Sequence, residues 1–159
     1  MDIRKIIKET IKESSPMTSF KEKPFTKEVS VPRYLYHQTS DSNRNQILKQ
    51  GLVPSTGDQT LRGFGLNPSN IDKIVPLYIK KYGEEIKDYL PQPYGNVKPM
   101  IFFSTVLEDV PLYGKKGYDI WRVDTTGLSN KWYKDTFLPQ YVCTDNSISI
   151  ENLELLTNN

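Results

Sequence analysis

The chain has 159 residues, 21 of them lysine or arginine against 19 aspartates and glutamates, for a formal net charge of +2. That balance argues against the clustered basic surface of a generic nucleic-acid binder. A single cysteine, Cys143, and a single histidine, His37, exclude an internal disulfide and a cysteine-rich zinc site, so no metal is expected.

Ile3, Ile6, Ile7 and Ile11 recur at helical spacing, with Arg4, Lys5, Lys8 and Lys12 opposite, which predicts a short amphipathic helix over residues 1–13. So short a helix is marginal alone in water and needs a surface: its own domain, another copy or a protein partner. Its apolar side has no tryptophan or phenylalanine, which speaks against a membrane surface. A polar, proline-punctuated linker runs from Ser14 to about Val31. The expected organisation is therefore helix and linker over 1–31 and a folded domain over 32–159.

Arg33-Tyr34-Leu35-Tyr36-His37 predicts a strand with Leu35 and His37 on one face and Tyr34 and Tyr36 on the other. A helix is expected at once, capped by Ser40 or Asp41 and made apolar by Ile47 and Leu48. It ends at Gly51, where a left-handed residue closes a helix and Leu52 supplies the hydrophobic contact. The helix N-terminus then falls a few residues beyond His37, a natural place for an anionic ligand. Residues 54–69 are rich in glycine, threonine, asparagine and proline and include Arg62-Gly63-Phe64-Gly65.

From Asn70 towards Tyr89, Ile71, Ile74, Val75, Tyr78, Ile79, Tyr82 and Ile86 keep helical spacing, with Ser69 or Asn70 as cap. Pro76 and Gly83 are expected to kink or split that helix. After a turn-rich loop over 91–99, strands are predicted at 100–104, 119–124 and 140–144. A closing strand or short helix is predicted at 148–156. Early helices, late strands and no repeating βαβ pattern make the class α+β.

Leu35-Tyr36-His37-Gln38-Thr39-Ser40, followed by Ile47-Leu48-Lys49-Gln50-Gly51-Leu52, resembles the opening motif of ADP-ribosyltransferases of the poly(ADP-ribose) polymerase type. Ile101-Phe102-Phe103-Ser104, with Tyr113 beyond it, resembles their second motif, and Gln140-Tyr141-Val142-Cys143-Thr144-Asp145 their third. The segments occur in order between about Tyr34 and Leu156. The resemblance implies an ADP-ribosyltransferase-like split antiparallel sheet with helices, and a cleft that takes NAD as substrate. It implies that His37 bonds a ribose hydroxyl, that the Gln38 backbone grips the nicotinamide amide, and that Tyr113 stacks on the nicotinamide ring. The expected NAD-binding set is His37, Gln38, Thr39, Arg62, Phe102, Ser104 and Tyr113, with Arg62 assigned to the pyrophosphate.

Several positions depart from the family pattern. Gln38 stands where glycine is favoured, so a longer side chain crowds the pocket. Phe102 keeps a family tyrosine's ring without its hydroxyl. A serine that bonds the nicotinamide carboxamide appears as Val110, with Ser104 or Thr105 as substitutes from another angle. Gln140 occupies the position of the catalytic glutamate. Breaking the nicotinamide–ribose bond develops positive charge on the ribose, which a carboxylate stabilises while it orients or deprotonates the acceptor. An amide keeps an acceptor oxygen but has no charge and is no base. His37 and Gln140 are the catalytic candidates, and poly-ADP-ribose elongation is not expected.

Glu151 and Glu154, which follow Gln140 beyond Asp145, are the candidates to restore the charge. Asp119, Asp124 and Glu108 read as solvated carboxylates, and Cys143 as a small buried apolar residue.

The leading expectation is an NAD-dependent mono-ADP-ribosyltransferase-like protein with a degenerate catalytic triad. A non-catalytic NAD or ADP-ribose binder stands beside it. So does an accessory protein that uses the fold as scaffold and residues 1–13 to dock on a partner. An RNA 2′-phosphotransferase shares the histidine motif but needs a basic set around phosphate that this sequence does not offer. No apolar run approaches the roughly 20 residues of a membrane-spanning helix, and the N-terminus lacks the apolar core of a secretory signal. A soluble cytoplasmic protein is expected. Virion association is the alternative, from a loose compositional likeness of the N-terminal segment to capsid-targeting tags.

Overall fold

The computed structural model describes residues 23–56, 61, 65–136 and 138–156. The helix predicted at 1–13, most of the linker and Arg62 lie outside those residues. The chain divides into two units. One contains residues 23–26 and the described part of 55–99, the other residues 27–54 and the described part of 100–159.

The second unit holds an antiparallel sheet in an α+β arrangement. Its strands are β1 (Tyr34–Ser40), β2 (Ile101–Ser104), β3 (Tyr118–Asp124), β4 (Tyr133–Lys134), β5 (Tyr141–Thr144) and β6 (Leu153–Leu156), in the order β4-β5-β2-β1-β3-β6. β1 runs three residues further than its alternation predicted, because β3 pairs with it in register from Tyr34–Asp124 to Ser40–Tyr118. β2 pairs along its whole length with β5, from Ile101–Thr144 to Ser104–Tyr141. β1 and β2, by contrast, share only the Tyr36–Ser104 row among the described residues. The six strands form one continuous sheet, which narrows to that row between the groups β4-β5-β2 and β1-β3-β6.

Strand alternation assigns the faces. Leu35, Ile101, Phe103, Trp121, Val123 and Val142 share one face and form a buried cluster with Ile47, Leu52, Trp132 and Ile148. Tyr36, Gln38, Phe102, Ser104, Arg122, Tyr141 and Cys143 fall on the other by register. Ile47 belongs to α1 (Arg44–Gln50), preceded by a 3-10 turn at Asp41–Asn43 whose N-cap is Ser40. The helix ends where expected, at Gly51, with φ of 75°. Glycine is required there twice over, since a Cβ would lie 2.1 Å from the Ile148 carbonyl oxygen. Leu52 then bridges to Ile148 and is buried. The tail predicted as strand or short helix is both, a 3-10 turn at Ile150–Asn152 leading into β6.

The chain joins this unit before the strand predicted to open it. Val29 N–H donates to the Trp132 carbonyl at 2.9 Å and Lys134 N–H to that of Lys27 at 2.8 Å. β4 is two residues long and carries too little alternation to be seen in the sequence.

In the other unit, α2 (Ile71–Tyr82) buries Ile71, Ile74, Val75 and Tyr78. Gly83 splits the predicted long helix, as expected, and a 3-10 segment follows over Glu84–Tyr89. The N-cap is Asn70, one of the two residues expected, though its side chain makes no capping bond to the helix; the Asn67 carboxamide oxygen accepts from the backbone amides of Ser69 and Asn70 at 2.9 and 3.0 Å. An Asn side chain competes well for backbone amides at a helix start. No described helix is long and apolar enough to cross a membrane.

Candidate functional site

His37 sits one residue past the single row that joins β1 to β2. Its Nδ1 lies 2.8 Å from the Phe102 carbonyl oxygen. A carbonyl only accepts, so Nδ1 carries the proton and Nε2 is left as an acceptor. The ring packs at 5.6 Å from that of Phe103, and Trp121 is its cross-strand neighbour on β3. Burial holds the imidazole below its ordinary pKa of 6.5, opposed in part by the bond to Phe102. The ring is therefore neutral at pH 7. The Trp121 indole N–H, sealed from solvent, has no hydrogen-bond partner among the described residues. An orphaned buried donor commonly costs about 1–3 kcal/mol.

Gln38 points to the opposite face. Its Oε1 accepts from the Leu112 backbone amide at 3.3 Å, which ties β1 to the segment 105–117. Ser104 Oγ donates to the Val106 carbonyl at 2.7 Å and accepts from the Val106 amide at 3.2 Å. That hydroxyl is committed to a local turn, which weakens Ser104 as a substitute for a carboxamide-binding serine. Val110 is buried. Phe102 is partly buried, and its carbonyl is the one that holds His37. Tyr113, next to Leu112, is 46% exposed.

Thr39 is the cross-strand neighbour of Asp119, and its Oγ1 accepts from Asn43 Nδ2 at 2.8 Å. The Arg44 guanidinium grips Asp119 with two bonds, Nε to Oδ2 at 2.9 Å and Nη2 to Oδ1 at 2.6 Å. Asp119 is buried, not solvated as the sequence suggested. Arg44 is thus spent on Asp119, and the turn that opens the helix carries the acidic Asp41, which disfavours a phosphate at the expected anion position.

Gln140 is exposed at the entrance to β5, and its carbonyl accepts from Thr105 Oγ1 at 3.4 Å. The sequence reading missed Asp135, a fully buried carboxylate five residues before it. Asp135 Oδ1 accepts from the Leu138 amide at 3.1 Å, and the backbone closes with Asp135 N–H to Tyr141 O at 3.0 Å. Asp135 therefore shapes the loop that delivers Gln140. Its only signal in the sequence is an aspartate three residues before an apolar one, which is too common to notice. Burial, seconded by the charges of Asp109 and Asp135, pushes the Tyr141 hydroxyl up.

Of the other candidate acids, Glu108 is exposed. Asp124 pairs with Arg33 at 3.2 Å, which with the Thr126 amide holds its carboxyl down to about 2. Glu154 pairs with Arg122, and Glu151 is exposed in its 3-10 turn. Among the described residues no group of three His, Cys, Asp or Glu side chains is placed to hold a metal ion.

The structure thus brings His37 onto Phe102, Gln38 onto the Tyr113 segment and Thr105 onto Gln140. It puts the His37 side chain on one face of the sheet and the Gln38, Phe102 and Ser104 side chains on the other. No family model and no curated protein sequence matches this chain.

Proposed function

We propose that this chain binds NAD where β1 and β2 part, and that it is a mono-ADP-ribosyltransferase-like protein with a weakened catalytic position. The carrying observation is the His37 imidazole, anchored on Phe102 beside the joint with Nε2 as acceptor. A neutral imidazole in that tautomer suits a ribose hydroxyl, which donates; an imidazolium would not accept. The narrow joint between two three-strand groups supports the ADP-ribosyltransferase-like arrangement. The exposed Tyr113 ring offers a stacking surface for an aromatic base. Lys115 and Lys116, exposed just beyond it, are the positive charges in this unit best placed in sequence to meet a diphosphate.

In this reading the C1′–nitrogen bond breaks and nicotinamide leaves with the bonding pair. The acceptor nucleophile then bonds C1′ and passes its proton to solvent. The Gln140 amide oxygen turns a dipole to the developing charge but takes no proton, so turnover is slow. A second reading, binding without chemistry, is favoured by one specific observation. Glu154, a candidate replacement for the missing carboxylate, is engaged by Arg122.

The test is an NAD titration of the wild-type protein followed by nicotinamide release on the same sample. Binding with release, both lost in His37→Ala, is the expected result. Binding without release supports the second reading, and failure of the wild type to bind NAD overturns both.

A further inference from the structure

The Gln38 side chain does something that the glycine favoured at its position cannot. It reaches from β1 to the backbone of Leu112, the residue before Tyr113. Two more side chains on the same sheet face reach the same segment. Ser104 on β2 holds Val106, and Tyr141 Oη on β5 donates to the Asp109 carbonyl at 3.4 Å. Tyr36, Ser104 and Tyr141 form one row across β1, β2 and β5, and Gln38 is the next residue along that face of β1. Three neighbouring strands thus pin the segment 105–117 at three points, and the Gln38 tether is the one nearest Tyr113. Beyond Tyr113, Gly114 and Gly117 adopt left-handed φ values of 81° and 92° with open space around them. On that side Lys115 N–H donates to the Leu112 carbonyl at 3.1 Å and Asp41 N–H to the Gly117 carbonyl at 3.0 Å, so the Gln38 tether is the side-chain hold nearest Tyr113.

We propose that Gln38 is a positioning residue. By holding the Leu112 amide it sets the place of the Tyr113 ring, and so selects ligands with an aromatic base at that end of the cleft over ligands that lack one. This rests on the NAD reading above, and it assigns the base-recognising part of that site to a tether between β1 and the segment. A neutral hydrogen bond of this kind is worth about 1 kcal/mol, or roughly fivefold in an equilibrium constant. Gln38→Met keeps the length of the side chain and removes the acceptor. Gln38→Glu keeps an acceptor.

Two measurements on the full chain test this. The first is hydrogen exchange of the Leu112 amide, which should speed up in Gln38→Met and return towards the wild-type rate in Gln38→Glu. The second is affinity for NAD and for ADP-ribose, which lacks nicotinamide. Gln38→Met should lose roughly fivefold for NAD and keep its affinity for ADP-ribose, and Gln38→Glu should recover NAD binding. A purely structural role would weaken both ligands together, and that result overturns the proposal. So does an unchanged Leu112 exchange rate. A wild type that binds NAD while Gln38→Met binds it equally well overturns this inference alone. A wild type that binds no NAD overturns the underlying reading and this inference with it.

Discussion

His37 Nδ1 and the Phe102 carbonyl oxygen lie 2.8 Å apart although 65 residues separate them in the chain. A side chain here meets a backbone acceptor beside the one row where β1 and β2 pair in register. The bond has two consequences: it stitches the two halves of the sheet, and it fixes the tautomer of the only histidine.

The half-buried, neutral imidazole makes stability depend on pH. Its pKa is lowered in the folded state, chiefly by burial, against an ordinary 6.5. As pH falls through that ordinary value the unfolded chain takes up a proton before the folded one does. The contribution is therefore complete above 6.5 and is lost as pH drops towards the folded pKa. One proton allows at most about 1.4 kcal/mol per pH unit. Urea midpoints at about pH 7.5 and about pH 5 should separate more in the wild type than in His37→Gln, which still donates to Phe102. Equal separations would show that His37 charges as readily folded as unfolded.

The Arg44–Asp119 pair anchors the start of α1 to β3. The carboxylate is 4% exposed and the guanidinium 46% exposed. Removing the guanidinium leaves a buried carboxylate without its partner, so Arg44→Ala should cost about 2–3 kcal/mol, at the low end for buried pairs because Arg44 is half in water. Pairing Arg44→Met with Asp119→Leu should cost less than Arg44→Ala alone, since no charge is then stranded. Denaturant unfolding measures both, and a double variant worse than the single one would mean that the pair does more than neutralise itself.

Local pattern carried much of this architecture, and it failed where the determinants are distant. The alternation of Tyr34 to His37, the Ile47–Gly51–Leu52 helix exit and the break at Gly83 were legible because each depends on neighbours within a turn or two. The Gly51 contact with Ile148 shows the limit: sequence reads the left-handed φ, whereas the approach of a carbonyl from 97 residues away is set by tertiary packing. The motif singles out His37 but gives no sign of its bond to Phe102. Asp119 was misread as solvated because its partner lies in another element. Asp135 was overlooked because a buried loop carboxylate has no periodicity to announce it.

Gly51 can be separated into backbone and packing parts. Gly51 and Gly127 both have left-handed φ, at 75° and 77°, but a Cβ on Gly127 meets nothing within 4 Å. Alanine at either site meets the backbone strain, roughly 1–3 kcal/mol. Gly51→Ala adds a clash with the Ile148 carbonyl, worth about another 1–3 kcal/mol. Thermal unfolding should therefore show Gly51→Ala clearly below Gly127→Ala. Equal losses would mean that the loop at Ile148 yields without cost.

Cys143 offers an internal probe of unfolding. It is fully buried, its Sγ lies 3.6 Å from the Tyr133 carbonyl, and burial pushes the thiol pKa well up. The thiolate is the reactive form. An aromatic disulfide reagent at neutral pH should label the native protein only as fast as it opens, and at once in denaturant. Rapid labelling of the native state would show that β5 opens locally.

Under the transferase reading, Gln140→Glu restores a carboxylate at the proposed catalytic position. The position is exposed at the entrance to β5, and the wild-type backbone is held by Thr105 and by the loop that Asp135 closes, so the substitution changes charge while leaving those bonds in place. A carboxylate aimed at positive charge developing on the ribose is worth a few kcal/mol of barrier, roughly a hundredfold to a thousandfold in rate. Under the transferase reading, nicotinamide release by Gln140→Glu should exceed that of the wild type by such a factor. NAD affinity should change little, because the charge acts on the transition state more than on the bound substrate. The double variant Gln140→Glu with His37→Ala should lose the gain. Faster release in the single variant alone ties Gln140 and His37 to one site. No gain, with NAD still bound, would place the Gln140 side chain away from the scissile bond and leave binding as the function of the cleft.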